Sequence, residues 1–390
     1  MNLRFLLFTT LVCAGCHSGG APSPTLPAAS PKPEATLEIV ESAPLETALD
    51  HPDIPNADTV WLKMITGAKH SIDIAEFYVS DEKATRLTKI IDAIHAAVQR
   101  HVKVRVLVEE KFYSKYPETI ARLESYGATI KRLSRFNEKD GILHAKYFVV
   151  DGVDSFVGSQ NFDWRALEHI QEVGVHVRSA DFARQLSEIF ESDWRYPAPS
   201  TFSPHLPLAM TIGEFPAQVT LAASPKGAIG NDAEWDLPKL VALVERAQKE
   251  IHLQVLTYAT ISRYGGPFFD LHNALLAAAK RGVQVHVLVS SWMRKENTSA
   301  IDELSKTPGV YVKVITVPAW SGGEIPFARV AHAKYMTADG THAWVGTSNW
   351  EGNYFNACRN ISVFITSAPA ASILNRIFKS GWESDLSRAW

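Results

Sequence analysis

The sequence predicts an α/β fold assembled twice into two pseudo-symmetric lobes, on three observations. The segment ILHAKYFVVDGVDSFVGSQNFDWRALEHIQEVGVHV, from Ile142, returns without a gap as VAHAKYMTADGTHAWVGTSNWEGNYFNACRNISVFI, from Val330. Upstream of each copy, short apolar runs alternate with amphipathic helical patterns, as in βα units whose sheets are covered on both faces. The chain has 390 residues and is 46% hydrophobic, enough for more than one buried core.

Taken in chain order, the N-terminus comes first. Arg4, an apolar run from Phe5 to Val12, and small residues Ala14 and Gly15 read as a secretory signal over residues 1–15. The run is too short to span a bilayer. Cys16 after Ala-Gly is similar to a lipoprotein processing site, with Cys13 where that site usually has leucine. Residues 16–36 therefore read as a lipid anchor and a disordered tether, with prolines at 22, 24, 27, 31 and 33. The expected location is across the inner membrane, lipid-anchored, on the outer-membrane or periplasmic side in a Gram-negative host. Once Cys13 leaves with the signal and Cys16 is acylated, Cys358 remains alone, without an intramolecular disulfide.

The first lobe is placed at 37–200. SIDIAEFY (71–78) reads as a covered strand after a helical pattern at Ala57–Ala68. An amphipathic helix at Lys83–Arg100 follows, with Leu87, Ile90, Ile91 and Ile94 on one face, leading to the strand VKVRVLV (102–108). The second lobe, at 217–390, repeats the order: Leu237–Lys249 as helix, IHLQVLTY (251–258) as strand, Phe268–Arg281 as helix and VQVHVLV (283–289) as strand. Between them, Tyr196–Pro225 is proline-rich with little periodicity, so 201–216 reads as a linker. With 39 basic and 42 acidic side chains, the net charge of −3 argues against a strongly electrostatic nucleic-acid binder. A local basic groove remains compatible with it.

Each repeat carries His-x-Lys-x4-Asp followed by Gly-Ser/Thr-x-Asn: His144, Lys146, Asp151, Ser159 and Asn161, then His332, Lys334, Asp339, Thr347 and Asn349, all offset by 188. A neutral imidazole can attack phosphorus and form a phosphohistidine. A protonated one can donate to the leaving oxygen, then activate water. The two lysines, with Ser159, Asn161, Thr347 and Asn349, can bind the non-bridging oxygens. Asp151-Gly152 and Asp339-Gly340 also read as hairpin turns, the aspartates tying down the motif rather than touching substrate. No metal or cofactor is expected, since neither HExxH nor a Cys/His ligand set occurs. Phe162 and Trp350, after the motif asparagines, are possible substrate contacts, though packing beneath the site is the stronger reading. Trp292 and Trp320 sit in predicted loops at strand ends, where substrate contacts often lie. Cys358 reads as a buried inert thiol.

The duplicated His-x-Lys-x4-Asp resembles the phospholipase D superfamily. DIAEFYV (73–79), NFDWRAL (161–167), ARVAHAKYMTADG (328–340) and VGTSNWEGNYF (345–355) are similar to the branch of the mammalian type-3 and type-4 phospholipase D-like exonucleases and the poxvirus envelope phospholipases. That branch often ends its second motif in Glu, where this chain has Asp339. The resemblance implies two α-β-α sandwich lobes with the active site at their interface. One chain then supplies both half-sites, and no oligomer is required. It also implies a phosphodiesterase working through a phosphohistidine. The expected substrate is a phospholipid, by hydrolysis or headgroup exchange; single-stranded DNA or RNA 5′-exonuclease action and an inactive surface-binding protein stand as alternatives. The repeat breaks at Glu172, whose counterpart is Asn360. Superfamily members commonly place an acidic residue at this spacing to orient the nucleophile. His144 is accordingly expected to be the nucleophile, oriented by Glu172, with His332 as acid and base.

Overall fold

The computed structural model describes residues 35–261 and 266–390. The signal, Cys16 and nearly all of the tether lie outside the described residues, and the first strand begins at Thr36. Among the described residues no helix is long and apolar enough to cross a membrane.

Two ladders share one strand order. The first runs Thr129–Leu133, Lys103–Glu109, Ser71–Glu76, Tyr147–Val150, Asp154–Gly158, Ile170–Arg178 and Thr36–Ser42. The second runs Val310–Ile315, Gln284–Ser290, Glu250–Val255, Tyr335–Ala338, His342–Gly346, Asn360–Thr366 and Phe215–Ser224. In both, the first three strands are parallel and the rest antiparallel. The parallel strands read as near-continuous apolar runs because both faces are covered.

Period-two alternation sorts side chains between cores. Phe148 and Val150 enter a core under the first lobe's outer helices, Ala57–Gly67 and Arg86–Gln99. Tyr147 and Val149 point the other way, into a core shared by both lobes. That shared core takes Val173, Val175 and Val177 from one lobe and Ile361, Val363 and Ile365 from the other. Helices Ala180–Arg195 and Ala368–Trp382 fill its flanks with Phe182, Ile189, Leu374 and Phe378. The lobes are therefore fused through apolar surface, and burying it stabilises their relative placement.

Helix boundaries follow local chemistry. The helix expected from Lys83 begins at Arg86, because the Thr85 hydroxyl accepts from the Thr88 N–H at 3.3 Å and caps it. Residues 201–216, read as a linker, contain a strand. Leu208–Ile212 pairs with Phe215–Ser224 across a turn at Gly213, whose φ is 57°. Met210 and Ile212 are buried on one face of this short hairpin. Its pattern covers too few residues to stand out among prolines.

Candidate active site at the lobe interface

Each His-x-Lys segment leaves its own lobe and docks on the opposite one. The His144 N–H donates to the Arg359 carbonyl at 2.9 Å, and the His332 N–H donates to the Gln171 carbonyl at 2.9 Å. Val330–Ala331 pairs with Ile170–Gln171, and Leu143 bridges Arg359 in the same way. Arg359 is itself fully buried and held by Asp193 at 2.7 and 2.9 Å. Both histidines are thus fixed by the other lobe's backbone.

This crossing corrects the expected partner of Glu172. Its carboxylate accepts from His332 Nδ1 at 2.8 and 2.9 Å, while His144 Nδ1 meets Asn360 Oδ1 at 3.0 Å. Glu172 belongs to the first lobe but faces the second lobe's histidine, because the pseudo-twofold lays each motif across the other lobe's final strand.

Lys146 and Lys334 are fully buried, and each Nζ donates to the carbonyl of its own motif histidine at 2.6 Å. An ammonium has three N–H groups, so two per lysine remain for other acceptors. Burial pulls Lys146 down to about 7, opposed by Glu76 and Glu172. It takes Lys334 well below the usual lysine range, opposed by Glu172. Burial and both lysines push His144 and His332 well down, towards neutral rings. Burial pushes Glu172 up to about 8 against the pull of Lys334, the Ser159 hydroxyl and Lys146. Lowered lysine and histidine values of this kind mark a pocket where an anion's charge would favour the protonated forms.

The remaining candidates divide. Asn161 and Asn349, each 17 residues after its motif histidine, are buried with unpartnered Oδ1 atoms that could meet a ligand or water. Ser159 and Thr347 do not open to the site. The Ser159 hydroxyl bonds the Val173 carbonyl and N–H at 3.2 and 3.1 Å; the Thr347 hydroxyl bonds Asn360 Oδ1 at 2.8 Å and the Ile361 N–H at 3.1 Å. They brace the residues that orient the histidines. The motif needs glycine before Ser159 because a Cβ at Gly158 would meet the Gly174 Cα at 2.9 Å.

Asp151 and Asp339 also leave the catalytic set. Asp151 accepts from the Lys69, His70 and Ser71 N–H groups at 2.7–2.9 Å; Asp339 accepts from Gln248, Lys249 and Glu250 at 2.7–3.1 Å. Both have φ of 54° in tight hairpins, so each aspartate pins its turn to the start of the neighbouring strand. Phe162 and Trp350 are core residues rather than substrate contacts. Phe162 stacks on Trp61 with centroids 4.9 Å apart, and Trp350 packs 5.9 Å from Tyr258. Strand alternation turns each away from the asparagine before it. Cys358 is buried, and burial pushes its thiol up to about 12.

Sequence reasoning missed an aromatic wall beside His144. The Phe77 ring lies 5.4 Å from the imidazole and 4.0 Å from Phe112, and Tyr354 presents its ring at 4.8 Å. Tyr78 stacks on Tyr116 at 4.8 Å. These five rings are half-buried rather than sealed in the core. They come from separate segments, so no single motif displays them. Glu76, 1% exposed, was also missed; its carboxylate accepts from the Phe162 N–H at 3.2 Å and offsets Lys146. An acid at the end of the strand run SIDIAEFY, where Asp73 is the other, was the available signal.

Two His-Lys pairs with buried lysines, facing each other across a duplicated α/β scaffold, define the phospholipase D superfamily of phosphodiesterases. The family described as "Cardiolipin synthase, PLD-like domain" matches residues 61–194 and 240–382, and this chain belongs to it. The chain is 30% identical to the 5'-3' exonuclease PLD3 of Rattus norvegicus over 395 residues, covering 90% of this chain and 79% of that one. It is also 30% identical to the virion nicking-joining enzyme of vaccinia virus (strain Western Reserve) over 385 residues, covering 91% and 90%. Among solved structures, the phosphatidylserine synthase of Haemophilus influenzae Rd KW20 shares the fold with a TM-score of 0.62 at 13% identity, over 85% of each chain.

Proposed function

We propose that this phosphodiesterase cleaves single-stranded nucleic acid, through a phosphohistidine on His332. The observation that carries the substrate is the half-buried aromatic wall of Phe77, Phe112 and Tyr354 beside His144. Any base has a π-face to stack there, whereas a lipid headgroup has none. The names of the relatives, an exonuclease and a nicking-joining enzyme, support the same choice. Phospholipid, the substrate first expected, becomes the second reading.

The carboxylate of Glu172 holds the proton on His332 Nδ1 and leaves the Nε2 lone pair free. Nε2 attacks phosphorus, and the P–O bond to the leaving group breaks. The departing oxygen takes the proton from His144, whose Nδ1 is held by a neutral amide. Burial and the lysines hold His144 below its usual range, and the substrate's negative charge counteracts the lysines, so His144 carries that proton in the complex. The phosphohistidine retains a cationic ring, and Glu172 stabilises it. Water then loses a proton to His144 and attacks phosphorus, the P–N bond breaks, and His332 is regenerated. Lys146 and Lys334 hold the non-bridging oxygens throughout.

Purified protein with excess chelator, given 5′-hydroxyl single-stranded DNA or phosphatidylglycerol or phosphatidylcholine vesicles, separates the readings. Release of nucleotides with intact lipid is expected; headgroup release with intact DNA would overturn the proposal. We also propose that Cys16 anchors the enzyme by acylation. Cys16→Ala should then release active protein from membranes, and unchanged detergent-resistant attachment would remove the anchor.

A further inference from the structure

The repeat is interrupted between the last parallel strand and the motif histidine. The offset between lobes is 182 at Leu133 and Ile315 but 188 at Ile142 and Val330, so the second lobe carries six extra residues here. They extend a segment, residues 316–329, that lies against the first lobe. Ser321 donates to Glu46 through its N–H at 3.0 Å and through its hydroxyl at 2.5 Å. Arg329 reaches the Leu45 carbonyl at 2.8 Å, its N–H donates to His169 at 3.0 Å, and Arg165 reaches the Pro326 carbonyl at 3.0 Å. Phe327 and Arg329 hold φ of 61° and 54°, a backbone conformation that costs energy for residues other than glycine.

Between this segment and the turn after Gln284–Ser290 lies a groove of ≈ 880 Å³, lined by Trp292, Trp320 and Phe327. Phe327 is 67% exposed, and both tryptophans are half-buried. Trp320 packs against His169, with centroids 4.9 Å apart, and against Gly322, where a Cβ would meet the indole at 2.5 Å. Its orientation is therefore fixed before any ligand arrives. The groove's cations, Lys295 and Arg329, are matched by Glu296 and Glu324, so attraction of a polyanion by charge alone is weak there. Arg329 is three residues before His332, which puts the groove's inner end within about 10 Å of that histidine along an extended chain.

Building on the nucleic-acid reading, we propose that this groove is the track for nucleotides flanking the scissile phosphate, with Trp320 and Trp292 as stacking platforms. Its inner end, at Arg329, is joined to the catalytic site by three residues of chain, and it offers aromatic faces rather than net positive charge. Bases of single-stranded nucleic acid fit the aromatic faces, and with the groove's charges balanced it is stacking rather than backbone attraction that would hold them. The acyl chain of a phospholipid is the competing occupant.

The test compares kcat/KM on oligodeoxynucleotides from a dinucleotide to an octanucleotide for wild type, Trp320→Ala, Trp320→Phe and Trp292→Ala, with thermal melting of each. Wild type is expected to favour the longer substrate. Trp320→Ala is expected to lower the octanucleotide-to-dinucleotide ratio roughly tenfold, the scale of one lost base–aromatic stack. Trp320→Phe is expected to recover most of that ratio. If Trp320→Ala does not fold, a lowered ratio in Trp292→Ala carries the same conclusion. An unchanged ratio in folded Trp320→Ala and Trp292→Ala, with wild type still cutting DNA, would overturn the groove assignment alone. Cleavage of long-chain but not short-chain phospholipid by wild type, with no oligonucleotide cut, would overturn the functional reading beneath it.

Discussion

Glu172→Gln is expected to lower kcat by roughly three to four orders of magnitude, the scale seen when a carboxylate orienting a catalytic histidine becomes an amide. Glu172 is fully buried and touches His332 Nδ1 through both oxygens, at 2.8 and 2.9 Å. Glutamine fits the same space but can turn its NH2 to Nδ1, moving the ring proton to Nε2 and closing the lone pair that attacks. It also leaves the phosphohistidine cation without a counter-charge. Lost hydrogen-bond geometry alone would not reach this size, because a single neutral bond is worth about 1 kcal/mol.

The same variant predicts a change in pH dependence. Burial raises Glu172 to about 8. Below that range the carboxyl carries its own proton and donates it to Nδ1, which is the unproductive tautomer. Above it the carboxylate accepts, and Nε2 is free. The wild-type kcat/KM is therefore expected to rise with pH along a limb that Glu172→Gln lacks. A Gln variant with near-wild-type kcat and an unaltered limb would show that Glu172 merely fills space.

Much of this site was legible in the sequence. The same polar set recurring at a fixed offset of 188 located His144, Lys146, His332 and Lys334, and the break at Glu172 and Asn360 marked the asymmetry. Which histidine Glu172 serves was not legible. An offset along one repeat pairs Glu172 with His144, whereas Leu143 bridging Arg359 and Ala331 pairing with Gln171 send each motif to the other lobe. Ser159 and Thr347 have the right chemistry for phosphate, but their hydroxyls are committed to the final strands. The aromatic wall depends on contacts among Phe77, Phe112 and Tyr354, far apart in the chain. Only the fold brings them together.

The second large effect concerns the two histidines themselves. His144 is buried and His332 half-buried beside Lys146 and Lys334, yet their Nδ1 partners differ: a carboxylate for His332 and an amide for His144. A carboxylate stabilises the cation that follows nucleophilic attack, while an amide orients a ring without fixing its charge. On the proposed mechanism His332 is the nucleophile and His144 the acid and base, the reverse of the order expected from the repeat. An aryl phosphodiester makes the roles separable, because its leaving group departs with little help from an acid. With a radiolabelled aryl substrate, His144→Ala should still be phosphorylated, and should accumulate the intermediate because no base activates water. His332→Ala should form none. The most direct measurement is the site of the label in each variant after rapid alkaline quench and peptide mapping. Label on His332 in His144→Ala, and none in His332→Ala, is the predicted result; label on His144 in His332→Ala would contradict it.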